Sequence, residues 1–346
     1  MRITRELNTM DFRARLLLLS LIGASILVLL LVHVGVSGIA SALRGAYPSW
    51  ILAALTLDLA FYILKAVRWR RILGDMALQI PYITVLKATF IGYLTNMLVP
   101  FRLGELGRAY ALKKGGGAPL SLTILSMAVE SLFDTMGIGF ILGLSLLLMA
   151  ESSALNAAVL RALKLLGYGG VALSLILLAA PRINILKRLG MRLIGVLPDK
   201  IRRRLKPLTL NYYTGLAGLS RRGMDLILLW GLSTLLWVIP GLCTAAFFKA
   251  FKAGLAPAKA LLGSMLLQIS FAAPAPPGYA GTFEAYWTLI YRLLGCDAVE
   301  ALEVGVAYHL FNLITATTLG GLSMLWLNLT LTKALQLGSP GVGETS

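Results

Sequence analysis

NMLVPFRLGELGRAYALKK, residues 96–114, sets Pro100, Gly104, Gly107 and three charged side chains, Arg102, Glu105 and Arg108, between two hydrophobic runs. The interior of a bilayer supplies no water to unpaired backbone or to charge, so such a break persists at membrane depth only where protein or a polar cavity shelters it. The device returns later in the chain as APAPPGYAG, residues 273–281. Proline removes a backbone donor and clashes with the preceding turn, while glycine accepts positive φ. Each cluster therefore divides its hydrophobic stretch, 80–110 and 258–294, into two half-helices. Both stretches are expected to be re-entrant hairpins, hinged at Pro100 and Gly104 in the first and at Pro277 and Gly281 in the second.

Composition sets the environment. Hydrophobic residues make up 58% of the 346-residue chain and charged residues 14%, with a mean hydropathy of +0.81. Soluble domains run at roughly 45–50% apolar and about 25% charged. Segments free or nearly free of charge, and long enough to cross about 30 Å of hydrocarbon, lie at 16–40, 47–64, 120–150, 165–181, 226–248 and 304–332. The expected fold is thus all-α, a polytopic membrane protein with six spanning helices plus the two hairpins. The first apolar segment exceeds the core of a signal peptide and is expected to be retained.

The formal charge of +17 does not point to nucleic acid, because the basic residues cluster beside hydrophobic spans, where they orient helices and attract anionic headgroups. Arg68, Arg70 and Arg71 precede the first hairpin and Lys113 and Lys114 follow it. A hairpin that returns to its starting side keeps all five in the cytoplasm. The same count puts both termini in the cytoplasm of a bacterial-type inner membrane, together with a basic amphipathic loop at 182–225. It leaves Lys249, Lys252 and Lys259 outside. One membrane domain, 1–346, then contains a span-hairpin-span repeat at 47–150 and a second, inverted one at 226–332. Pro100 with Gly104 and Pro277 with Gly281 share one spacing. Inverted repeats with matching broken helices mark a transporter site near the midplane.

Arg102, Glu105 and Arg108 stand three residues apart, so a helix beginning after the break gathers them roughly onto one face. Glu130 and Asp134 lie about 15–21 Å into the following span at 1.5 Å per residue, too deep to snorkel, and Asp58 is a third acid at mid-span. Buried carboxylates need a partner, and arginine serves two acceptors at once. The economical expectation pairs Glu130 and Asp134 with Arg102 and Arg108, an arginine being shared with a substrate phosphate. Around the second break stand Tyr279, Thr282 and Glu284, with Tyr308, His309 and Asn312 on the next span. A single histidine near a polar cluster reads first as a hydrogen-bonded interior residue and second as a proton relay.

No phosphate-binding loop, metal-ligand spacing or room for a soluble catalytic domain is visible. Cys243 and Cys296 suggest neither a disulfide framework nor a metal site. No cofactor is expected.

The run N-x-x-x-P-x-R-x-G-E-x-x-R from Asn96 to Arg108, the Glu130 and Asp134 pair, and P-P-G-x-x-G-x-x-E from Pro276 to Glu284 resemble the lysylphosphatidylglycerol synthase transmembrane family, also called flippase-like proteins. The resemblance covers about residues 12–333. It implies movement of lipids or lipid-linked intermediates between leaflets, and it places Asn96, Pro100, Arg102, Gly104, Glu105, Arg108, Glu130, Asp134, Gly281 and Glu284 at motif positions. Two features depart from the family: Ser131 stands where an arginine often follows the glutamate, and the soluble aminoacyl-transfer domain of full-length synthases is missing, so synthesis of lysylated lipid is not expected.

The function expected from the sequence is a lipid flippase or transporter rather than an enzyme. Asn96, Arg102, Glu105, Arg108, Glu130, Asp134, Tyr279 and Glu284 contact an anionic phospholipid or polyprenyl-phosphate-linked lipid. The alternatives are a membrane-embedded transferase acting on a lipid-linked glycan and an accessory subunit. A lipid-synthesis enzyme or a second copy of the chain is a candidate partner, and nucleic acid is not.

Overall fold

The computed structural model describes residues 44–74, 79–98, 104–149, 157–179, 223–273 and 275–329, with a few isolated positions between 188 and 202. Pro100, Arg102, the segment 16–40 and nearly all of 182–222 lie outside the described residues. Among those described the chain is helical: α1 (Pro48–Leu73), α2 (Tyr82–Leu98), α3 (Glu105–Gly116), α4 (Leu120–Leu148), α5 (Ala157–Ala179), α6 (Gly223–Ala250), α7 (Pro257–Ser270), α8 (Thr282–Leu293) and α9 (Ala298–Trp326). The all-α expectation holds.

Length sorts these helices into two kinds. With 23 to 29 residues, α1, α4, α5, α6 and α9 extend about 35–44 Å, ample for about 30 Å of hydrocarbon. Three segments, Pro48–Leu73, Leu120–Leu148 and Asp225–Ala250, are also apolar enough to cross a membrane. By contrast α2, α3, α7 and α8 have 12 to 17 residues and reach only about 18–26 Å. They lie in pairs along the two hydrophobic stretches 80–110 and 258–294.

Each pair of halves folds back on itself. Thr95 Oγ1 donates to the Gly104 carbonyl at 2.6 Å and Asn96 Nδ2 to Glu105 Oε1 at 2.8 Å, while Gly92 lies against Arg108 and Gly107 against Thr95. As one partner's number rises the other's falls, about a centre near residue 100, so α2 and α3 run antiparallel. In the second pair Gly295 meets Lys259, Gly263 meets Tyr291, and Phe271 meets both Tyr279 and Phe283, about a centre near residue 277. Between α7 and α8 the chain turns through a 3₁₀ segment, Pro277–Tyr279. Gly278, Tyr279 and Gly281 there all take positive φ.

Helix boundaries recur at the offset that carries Pro100 onto Pro277. Moved by that offset, α1 falls on 225–250, α3 on 282–293 and α4 on 297–325. The observed α6, α8 and α9 begin and end within two residues of those positions.

Packing divides the chain into two compact units, the described parts of 1–56, 90–108 and 241–346, and those of 57–89 and 109–240. In the second unit Ile72, Val129, Phe133, Met136 and Leu229 form a core flanked by Leu132, Leu226 and Trp230. Gly139 approaches the backbone of Gly167 there, the close helix contact that small residues permit in a membrane. The first unit is centred on aromatic rings: Phe247 packs on Tyr308 and Phe311, and Trp287 on Phe248, Phe283, Tyr291 and Tyr308.

Lys249 and Lys252, an awkward pair for a charge count, rest on aromatic faces. Lys249 Nζ lies 4.5 Å from the Trp50 centroid and Lys252 Nζ 5.0 Å from that of Tyr47. Aromatic rings with snorkelling lysines suit a headgroup layer on either side, so these two residues fix a depth rather than a sidedness.

α9 is capped by Asp297, whose Oδ1 accepts from the Val299 and Glu300 amides at 2.8 and 3.1 Å. The Glu300 and then the Val299 amide hold this exposed carboxyl below the usual aspartate range. A folded-state pKa that is depressed gives stability above the unfolded value, about 3.9, and loses it as pH falls through the folded value. Asp297→Ala is accordingly expected to lower the melting midpoint in detergent at neutral pH. The gap from the parent closes on acidification; a pH-independent gap would contradict the cap.

Candidate functional site

The first hairpin carries the first polar group. Gly104 approaches the Thr95–Asn96 backbone so closely that a Cβ would collide with Asn96 N and with the Thr95 carbonyl. This contact starts α3 beside the end of α2. Asn96 then reaches Glu105, and Arg108, one turn on, places Nη1 3.4 Å from Glu105 Oε2. The arginine stem lies on Gly92, where a Cβ would come within 2.7 Å of it. Arg108 is buried, but the Glu105 side chain is 35% exposed. The result is a sheltered guanidinium whose carboxylate partner faces outward. Asn96, Glu105 and Arg108 are thus brought together, and Arg102 lies outside the described residues.

The second group joins α8 to α9. His309 Nδ1 lies 2.6 Å from Glu284 Oε1, both side chains are buried, and Phe283 stacks on the imidazole at 4.4 Å. Three residues along α9, Asn312 Oδ1 accepts from Tyr93 Oη at 3.1 Å, linking α9 to the first hairpin. Tyr279, expected among the substrate contacts, sits in the turn at φ 54 with its ring 4.9 Å from Phe271. A bulky residue in the left-handed region is strained and persists only where its surroundings impose it, a pattern that gathers at functional sites.

The third group corrects an expectation. Glu130 and Asp134, assigned above to Arg102 and Arg108, are held by Arg68: Nη2 lies 2.9 Å from Glu130 Oε1 and Nη1 2.7 Å from Asp134 Oδ1. Arg68 is fully buried and also donates to Ser233 Oγ at 2.7 Å. Lys65 Nζ lies 4.0 Å from Glu130, and Trp237 Nε1 donates to Asp134 at 2.9 Å. By its place after an apolar run Arg68 reads as a cytoplasmic flanking charge, since arginines there ordinarily snorkel. Instead α1 continues to Leu73 and turns Arg68 inward with Tyr62, Ala66 and Trp69, all buried. The available signal was the i, i+4 pair of acids inside an apolar helix, which requires a cation but does not name it.

Apolar spanning helices, broken half-helices and buried charge sheltered inside them define a multi-pass, all-helical membrane protein. The chain belongs to the family described as the lysylphosphatidylglycerol synthase TM region, whose model matches residues 16–320. It is 24% identical over 227 residues to UPF0104 membrane protein MJ1078 of Methanocaldococcus jannaschii, covering 66% of this chain and 91% of that one. It is 28% identical over 130 residues to Glycosyltransferase AglD of Haloferax volcanii, covering 38% of this chain and only 21% of AglD. No solved structure matches.

Proposed function

We propose that the protein moves an anionic lipid, or a lipid-linked intermediate, between membrane leaflets through a polar cavity at two re-entrant hairpins. The observation that carries this is the buried Arg108 beside the half-exposed Glu105 at the fold-back of α2 and α3. A phosphate offers the arginine fork a better acceptor than a carboxylate 3.4 Å away on a solvated side chain. In this reading the headgroup displaces Glu105 and is oriented by Asn96. It is also contacted by Arg102 and by Tyr279, while the acyl or prenyl tails stay in lipid. The repeat of helix boundaries supports an inverted pair of span-hairpin-span units at 47–150 and 226–332, the architecture that places a substrate at the midplane. The charge pattern supports an inner-membrane location with cytoplasmic termini.

The test is leaflet exchange of labelled phosphatidylglycerol and labelled polyprenyl phosphate in vesicles containing the purified protein. The parent should exceed empty vesicles for at least one of them, and Arg108→Ala should reduce that rate about tenfold or more, the worth of a charge-assisted hydrogen bond. Exchange equal to that of empty vesicles with both lipids would reject transport. The second reading is a role in building lipid-linked glycans, as a membrane-embedded transferase or accessory subunit, and the similarity to part of AglD favours it. Formation of a new glycolipid in detergent, where no leaflets exist, would decide for the transferase; copurification with a synthase that keeps its activity after Arg108→Ala would decide for the accessory role.

A further inference from the structure

The Glu284–His309 pair is built differently from an anion site. Glu284 is the third residue of α8, immediately after the break, and His309 lies near the middle of α9. One atom of each side chain faces the other at 2.6 Å. The remaining atoms, Glu284 Oε2 and His309 Nε2, are buried and have no hydrogen-bond partner among the described residues. Phe283 covers the imidazole face, and Tyr308 and Trp287 continue the wall behind it.

An acid and an imidazole that share one proton between Nδ1 and Oε1 carry one net negative charge together, with a free position on each for a second proton, which makes the pair neutral, or for a water that delivers it. The helix contact does not require such a pair. Under the offset that relates the two breaks, Glu284 and His309 correspond to Gly107 and Leu132; Gly107 packs on Thr95 and Leu132 joins an apolar core. The first span-hairpin-span unit thus lacks the polar pair at both equivalent positions.

We propose that Glu284 and His309 form a proton-binding site that couples proton movement to the lipid transport proposed above. Loading adds one proton from water to His309 Nε2 or Glu284 Oε2, the Nδ1···Oε1 contact persisting, and unloading returns it to water; no other bond changes. Among the described residues, the titratable groups in contact with neighbours of the pair are Tyr308 on α9, against Phe283, Tyr291 further along α8, against Trp287, Tyr279 in the turn, against Phe271, and Tyr93 on α2, bonded to Asn312. Beyond Tyr93 come Arg108 and Glu105 of α3, since Arg108 rests on Gly92. Lys249 of α6 and Lys259 of α7 are placed against Trp50 and Gly295 instead. Tyr93 and Asn312 form the path by which a proton on α9 is felt at the anion site.

This proposal rests on the transporter reading, and two measurements keep them apart. The first is infrared difference spectroscopy of the protein in phosphatidylglycerol nanodiscs between about pH 5 and about pH 8. A protonated-carboxyl band should be present in the parent, absent in Glu284→Gln and displaced in His309→Gln. Identical spectra in all three overturn the proton site whether or not lipid moves. The second is lipid exchange in vesicles with the membrane potential clamped and a pH gradient imposed or absent. The parent rate should change about fivefold or more with the gradient, a typical coupling factor, and that ratio should fall toward one in both variants. A parent that moves lipid at a rate indifferent to the gradient overturns the coupling. A parent that moves no lipid overturns the transport reading, and the spectra then decide the site alone.

Discussion

Arg68→Ala is expected to destabilise the protein by about 3–5 kcal/mol, the usual result of stranding one partner of a buried ion pair. Two carboxylates depend on this guanidinium. Glu130 is buried, and Asp134, 21% exposed, keeps only its contact from Trp237 among the described residues. Lys65 cannot replace Arg68, because its ammonium stands 4.0 Å from Glu130 and lacks the fork that spans both acids. In detergent the melting midpoint should fall by roughly 10 °C. Arg68→Met with Glu130→Leu and Asp134→Leu should recover most of that loss, since apolar residues of similar volume often replace a buried ion cluster at little cost. The molecule carries its own precedent: under the offset that carries Pro100 onto Pro277, Ala245, Ala307 and Phe311 stand for Arg68, Glu130 and Asp134, and Phe311 packs on Phe247 of α6. A triple variant as unstable as the single one would show that the ions organise this packing rather than occupy it.

Gly104→Ala is expected to destabilise the protein too, by a different route. The added methyl falls on the Asn96 nitrogen and the Thr95 carbonyl, and backbone inside a helix cannot step aside as a flexible side chain does. The α2–α3 hairpin must open, which breaks the Thr95 to Gly104 and Asn96 to Glu105 hydrogen bonds and withdraws Arg108 from Gly92. Overpacking of this kind costs about 1–3 kcal/mol or more, seen as a lower midpoint and a smaller monodisperse fraction in size exclusion. Gly231→Ala in α6 and Gly321→Ala in α9 are the controls. A Cβ at either meets nothing within 4 Å, and alanine favours a helix by about 0.5–1 kcal/mol over glycine. Equal behaviour of Gly104→Ala and these controls would mean that the hairpin closes in another way.

The breaks were legible because their causes are local. Proline and glycine act on their own and adjacent turns, so the half-helices, their order and the antiparallel return follow from residues 80–110 and 258–294 read by themselves. That Glu105 and Arg108 share a face was legible for the same reason, from their three-residue spacing; that Asn96 reaches Glu105 across the break was not. Pairing across helices was not. The link from Arg68 to Glu130 spans 62 positions and that to Ser233 spans 165, so a short-range pattern carries no trace of either. Glu284 and His309 were each noticed, but neither sequence position says that they meet.

The order of residues by itself determined that this chain is apolar and helical, where its long helices run unbroken, and where two of its hydrophobic stretches must turn back. Each of these depends on backbone chemistry within a few residues. Only the packing of helices decided that Arg68 answers the acids of α4, and that His309 is joined to Glu284. A buried charge takes the partner that the neighbouring helix face presents at about 3 Å, and that choice exists only once the helices are side by side.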